Sequence, residues 1–283
     1  MRFIFALFLL SALPAAADMR LALGDGEAFT YKVSWAILMG AGEIHITAKS
    51  DLTGTAPRLR VITTTATSGL ARLLMRFDAR AESVFDLRTG RLLSLTESSQ
   101  QNRRHSEHVV AFDYAAKNAL YSVPDDPAPP RSLALPPGDP MDLITSLVQT
   151  RFWDLKVGQK RDALVMFDDE FYELTIHAAR MEKVYTSLGT FDALVLEPRM
   201  DHTEPKGMFR KGSTVRVWIE QDDERHLPVK FEVEFKIGTG VATLTAYQPP
   251  ADSAATAVTK TAPQPVEVAD EKPPAPDAKD SRP

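Results

Sequence analysis

Residues 215–235 read VRVWIEQDDERHLPVKFEVEF, the densest group of titratable side chains in the chain. Val215, Val217 and Ile219 alternate with their neighbours before the charged run, and Phe231, Val233 and Phe235 alternate after it, which is the period of two strands. Asp222 and Asp223 are turn formers, because their carboxylates can accept from nearby backbone N–H groups. Pro228 suits the first residue of a returning strand, where no ladder donor is needed. Glu220, Asp222, Asp223, Glu224, Arg225 and His226 therefore fall at a solvated hairpin tip. They lack the enclosing pocket that acid–base chemistry requires. The stretch reads as architecture, and it sets the expectation for the whole fold: strands following one another at hairpin spacing.

The same period extends on both sides. In EAFTYKVSWAILMGAGEIHITAKS, Phe29, Tyr31, Val33 and Trp35 alternate up to Gly40-Ala41-Gly42, and Ile44 and Ile46 resume, which predicts two strands joined or bent at those glycines. RLRVITTTAT, rich in β-branched residues, predicts a third strand. Two hairpins follow, with Thr89-Gly90 and Lys117-Asn118 at their turns. PDDPAPPRSLALPPGDP is too rich in proline for a central strand. From KRDALVMFDD to VATLTAYQ the chain returns to strands separated by Asp-Asp, Leu-Gly-Thr, Lys-Gly, Asp-Asp-Glu-Arg and Gly-Thr-Gly turns. There are too few helices for parallel βαβ units.

Two segments break the rhythm. In SGLARLLMRF, Leu70, Leu73, Leu74 and Phe77 have helical spacing and Ser68 can cap, which predicts a short amphipathic helix or a wide apolar loop. Near 139–153 a second helix is predicted. Asp139 is placed at its N-cap, Pro140 at the first helical position, and Asp142 in the positive first turn. Leu143, Ile144, Leu147 and Val148 form a stripe for packing on the sheet. The expected fold class is mainly β, a curved antiparallel sheet or open β-barrel with one packed helix.

The ends bound the compartment. Arg2, the apolar run FIFALFLLSALP and Ala15-Ala16-Ala17 are expected to form a cleaved signal peptide over residues 1–17, followed by one β domain over 18–248. This places the mature protein in the periplasm of a Gram-negative bacterium. No other stretch is long and apolar enough to be read as a membrane span. Residues 249–283 are rich in Pro, Ala and charge, without an aromatic, and read as a disordered tail. The chain has no cysteine, which excludes disulfides, a catalytic thiol and a lipid on an N-terminal cysteine. With a net charge of −5 and no basic stretch in the folded region, nucleic acid is not an expected partner.

Several local patterns occur in a fixed order. Gly26-Glu27 precedes Tyr31 to Trp35 and Gly40, and Asp139-Pro140-Met141-Asp142-Leu143 opens a helix reaching Arg151. Leu155-Lys156-Val157-Gly158-Gln159 and Gly189-Thr190-Phe191-Asp192-Ala193 follow. Last come Val217-Trp218-Ile219, Asp222-Asp223 and Leu227-Pro228-Val229-Lys230. This order, over about residues 25 to 248, resembles the secreted bacterial family known as domain of unknown function 3108. The resemblance implies a periplasmic, largely antiparallel β domain and supplies no catalytic residues. More distantly, a curved sheet with a helix against it is similar in architecture to lipoprotein carriers of the LolA and LolB type, an analogy of fold alone.

Candidate chemistry is sparse. His105 and His108 are three apart on a strand and so point to opposite faces, against the pattern of metal ligands. His45, His177, His202 and His226 are isolated in sequence. No nucleophile elbow, HExxH or phosphate-binding glycine loop is present. No catalytic residue, metal or cofactor is assigned. The leading expectation is a non-catalytic periplasmic binding protein for an apolar or amphipathic envelope ligand, a lipid or a lipoprotein acyl chain. Its expected contacts are Trp35, Leu38, Met39, Leu70, Leu73, Leu74 and Phe77, side chains that exceed simple alternation and suit a pliable apolar surface. The alternatives are an assembly factor binding another envelope protein, and a hydrolase of envelope polymers, which requires a cleft where titratable groups converge.

Overall fold

The computed structural model describes residues 21–251 except Thr55 and Ile237. The expected signal peptide and the tail after residue 251 lie outside the described residues. The N-terminal half is a meander of β1 (Ala28–Trp35), β2 (Leu38–Asp51), β3 (Arg58–Thr67), β4 (Phe77–Asp86), β5 (Leu92–Gln101), β6 (Arg104–Asp113), β7 (Asn118–Ser122) and β8 (Arg131–Ala134), with α1 (Gly69–Leu74) between β3 and β4. The second half holds β9 (Met141–Asp142), α2 (Leu143–Gln149), β10 (Lys160–Phe167), β11 (Glu170–Thr186), β12 (Gly189–Arg199), β13 (Thr214–Glu220), β14 (Pro228–Phe235) and β15 (Gly238–Gln248).

All strands form one sheet, in which β1 pairs with β15 and each half runs outward to an edge, β8 on one side and β9 on the other. The edges do not pair with each other, so the sheet bends round without closing. Side chains bridge the gap: the Phe112 and Phe171 rings are 6.3 Å apart, and Arg131 pairs with Asp169 at 2.5 Å. The Pro-rich connector contributes only β8, four residues between prolines at the sheet edge, where missing donors do no harm.

Alternation explains most of the core. Phe29 and Tyr31 of β1, Ile46 of β2, Val61 of β3, Phe85 of β4, Leu95 of β5 and Val110 of β6 point into one buried cluster. In the second half, the middle of β12 and the end of β13 are buried on both faces. Ala193, Val195 and Trp218 join the first cluster, while Leu194, Leu196, Val217 and Ile219 face a second one completed by Leu143 and Leu147 of α2. Doubly buried strands read as continuous apolar runs, as ALVL at 193–196 does. A register irregularity between Ala178 and Arg180 turns β11 over, so that Ile176 serves the second cluster and Val184 the first.

Two local expectations are corrected. The first hairpin turns at Ala36-Ile37, with Trp35 opposite Leu38 and Ala36 at φ 50°, while Gly40-Ala41-Gly42 lies inside β2. Gly42 is needed there for close approach: a Cβ would stand 2.5 Å from the Ala66 carbonyl oxygen. The second correction concerns the helix near 139–153. Its N-cap is Asp142, whose Oδ1 accepts from the Thr145 N–H at 2.9 Å. Asp139 instead meets Arg91 at 2.7 Å, and Met141-Asp142 pairs in parallel with β10. The helix proper is Leu143–Gln149, continued by a 3-10 turn over Thr150–Phe152. Past Gln248 the chain stays attached, the Ala251 N–H donating to the Asp25 carbonyl at 2.8 Å.

Candidate binding site

The interior face of β1–β6 changes character along the strands. One cross-strand row is Ala48, Val61, Ser83, Leu95 and Val110, with the Ser83 hydroxyl donating to Asp142 Oδ2 at 2.6 Å. One step along, the row is Phe29, Ile46, Thr63, Ala81, Glu97 and His108. The next is Tyr31, Ile44, Thr65, Ala79, Ser99 and Ser106. Apolar bulk thus gives way to small and hydroxyl side chains, which cannot fill the concave face. The result is a hollow of about 360 Å³, lined among others by Thr63, Thr65, Ala79, Glu97, Ser99 and His108, and bounded by Phe77, Ile144 and Phe167.

Thr65 also lines an adjoining chamber of about 260 Å³ made by Val33, Trp35, Leu38, Thr67, Ala71, Leu74 and Met75, almost wholly apolar. The two spaces together have the volume of a small-molecule site. The chamber's roof is α1. The Ser68 hydroxyl donates to the Gly40 carbonyl at 2.7 Å rather than capping the helix, and Thr67 Oγ1 donates to the Met75 carbonyl at 3.0 Å, holding α1 over the ends of β2 and β3.

Of the expected contacts, Trp35, Leu38 and Leu74 line the apolar chamber together and Phe77 bounds the polar hollow. Met39, Leu70 and Leu73 are exposed and line neither. His108 was not foreseen as a lining residue. The alternation Ser106, His108, Val110 carries the signal, because it turns His108 inward and leaves His105 outside.

The His108 ring is 7% exposed and stacks on Tyr121 with centroids 5.2 Å apart. Its Nε2 lies 3.0 Å from Glu97 Oε2 but is not aligned for a hydrogen bond, so this buried nitrogen has no directed partner. Tyr121 donates to Asp168 Oδ1 at 3.3 Å; burial first, and then the Asp168 charge, pushes its phenol above the ordinary range. Glu97, His108 and Asp168 meet at this side of the hollow, with His108 Nδ1 3.9 Å from Asp168 Oδ1.

The charged run at 220–226 is structural. Glu220, expected at a solvated hairpin tip, is instead fully buried, and its carboxylate accepts from the backbone N–H of Asp223 at 2.6 Å and of Leu227 at 3.1 Å, closing the β13–β14 turn from inside. One correction concerns His202. It is not isolated in space, since its ring, Asp162 and Glu173 offer ligand atoms within 4.8 Å of one another, all exposed. The apolar cleft beside Leu143 and Phe209 encloses about 50 Å³, room for little more than water.

An open, barrel-like antiparallel sheet with a hollow concave face is the class this molecule defines. The chain is similar in fold to a beta-barrel-like protein of domain of unknown function DUF1849 from Brucella abortus, with a TM-score of 0.51 and 6% identity over 80% of this chain and 98% of that one. The family model described as protein of unknown function (DUF3108) matches residues 30–245, and the chain belongs to that family. No curated protein matches it.

Proposed function

We propose that this protein is a periplasmic, non-catalytic binding protein for an amphipathic envelope molecule, whose acyl portion occupies the apolar chamber and whose polar portion occupies the hollow beside it. The observation that carries this reading is the junction of the two spaces at Thr65, almost wholly apolar on one side and mixed, with hydroxyl and charged side chains among apolar ones, on the other. A chain of methylenes entering between Trp35, Leu38 and Leu74 gains roughly 0.8 kcal/mol per buried CH₂. The hydroxyls of Ser99 and Ser106 supply hydrogen bonds for a headgroup or carboxyl. The reading of residues 1–17 as a signal peptide supports the compartment.

The test is native mass spectrometry of the mature protein, purified from the periplasm without detergent and then extracted with solvent. A discrete co-purifying mass that extracts as a lipid supports the proposal. A bare polypeptide mass, unchanged after incubation with envelope lipids, overturns it.

A further inference from the structure

We propose that the end of the barrel carrying α1 docks on a lipid surface bearing anionic headgroups, and that the chamber beneath draws its ligand from that surface. The docking stands on its own observations; the delivery of ligand rests on the binding function proposed above.

Ile37 and Met39 are 92% and 86% exposed, and Leu70, Leu73 and Leu74 of α1 are 67%, 82% and 77% exposed. These form one surface, because the Ser68 N–H donates to the Ala41 carbonyl at 2.9 Å and fastens the start of α1 to β2. A short amphipathic helix normally turns its leucines onto the sheet. Here α1 has no buried residue, and only Ala71 and Leu74 reach the chamber. A contiguous apolar patch of this kind marks an interaction surface.

Charge indicates what covers it. Arg103 and Arg104 flank α1 at the β5–β6 turn, where Asn102 and Arg76 exchange hydrogen bonds at 2.8 and 3.0 Å. On the other flank, the Arg210 guanidinium lies 5.8 Å from the Phe235 ring, itself 5.9 Å from Trp35, and Lys236 approaches Gly212. Arg103, Arg104, Arg210, Lys211 and Lys236 are exposed and have no carboxylate within ion-pair distance among the described residues. Asp78, the acid nearest α1, is already taken by Arg72 and Arg76.

A chain of net charge −5 thus concentrates unpaired cations round its exposed leucines. Apolar side chains ringed by basic ones match the boundary of an anionic bilayer, into which the former insert while the latter meet headgroups. Each basic residue near such a surface strengthens partitioning roughly fivefold. The chamber between Trp35 and Leu74 then opens under the docked end.

The full mature chain is sedimented with phosphatidylcholine vesicles, with and without phosphatidylglycerol. Expected is binding to the anionic vesicles that added salt releases. The Ile37→Ser/Leu73→Ser double variant should weaken it by at least about tenfold, and Arg103→Ser/Arg104→Ser by on the order of tenfold at low salt. Neither pair lines the chamber, so thermal unfolding and capture of a monomeric fatty acid should be retained by both. Binding to neutral and anionic vesicles alike, no binding, or binding indifferent to these variants overturns the docking. Concentration-dependent self-association lost in Ile37→Ser/Leu73→Ser also overturns it and assigns the patch to a second copy. Docking without fatty-acid capture overturns the binding function instead and leaves the docking intact.

Discussion

The Arg151 guanidinium lies 2.8 Å from the Glu27 carboxylate, the two residues being 6% and 1% exposed. They join the turn after α2 to the residue that leads into β1, far apart in the chain. Both groups are held by further hydrogen bonds: Glu27 also accepts from Tyr247 Oη at 2.9 Å and the Gly24 N–H at 3.0 Å. Arg151 also donates to the Ala22 and Arg225 carbonyls at 3.0 and 2.9 Å. A buried pair so completed fixes geometry more than it adds stability, because both charges were taken out of water to make it.

Breaking one side should be costly. Arg151→Met leaves a buried carboxylate without its cation, and Glu27→Leu leaves the reverse; each is expected to lose about 3–5 kcal/mol of stability in urea denaturation. The Arg151→Met/Glu27→Leu double variant should be less destabilised than the sum of the singles. Strict additivity would show that the two charges are not energetically coupled.

Two tyrosines at this junction give an alkaline limit. Tyr31 Oη donates to the Pro228 carbonyl at 2.8 Å, and burial holds its phenol well above the ordinary range, with the charge of Arg151 opposing and that of Glu27 adding. Tyr247 is pushed up to about 12, by burial first and then by the Glu27 charge. In the unfolded chain each deprotonates near pH 10. Between there and pH 12 the native state therefore binds more protons than the unfolded one, and stability falls as pH rises. Thermal unfolding measured from pH 8 to 12 should show this loss, with a shallower slope in Tyr31→Phe/Tyr247→Phe. Parallel slopes would remove these residues as its source.

The 220–226 run makes a contrast between neighbours. Glu220→Ala orphans the Asp223 and Leu227 backbone donors in a buried turn and should cost about 2–4 kcal/mol. Glu224, which is exposed, should tolerate Ala within about 0.5 kcal/mol. Equal effects in a denaturant titration would contradict the assignment of Glu220 as the internal anchor.

The strands were legible because period two survives in one sequence, and the corrections arise where a partner distant in the chain decides. Asp139 and Asp142 are equally good caps on paper; Arg91 takes the first and leaves the second to Thr145. Glycine at 40 and 42 reads as a turn until the Ala66 backbone is placed against it. Helical spacing groups Leu70, Leu73 and Leu74 but does not say whether they face sheet or solvent. The hollow was hidden for a related reason: Thr65, Ala79, Ser99 and Ser106 are unremarkable singly, and become a missing layer of core only when register sets them side by side.

That missing layer can be filled on purpose. Ala71 faces the apolar chamber from α1 and Ala79 faces the polar hollow from β4. A phenylalanine at either position occupies space that is otherwise open, so folding should survive with a change in stability under about 1.5 kcal/mol. Binding should not. With a brominated fatty acid as the probe, quenching of Trp35 fluorescence should be present in the parent chain, absent in Trp35→Phe, and shifted to at least about tenfold higher concentration in Ala71→Phe, the ligand having lost its site to a side chain. Ala79→Phe should lower the affinity for the same probe while leaving a short alkane, which needs no headgroup pocket, able to enter beside Trp35. If Ala71→Phe quenches like the parent, the acyl chain does not lie between Trp35 and Leu74, and the chamber is not its site.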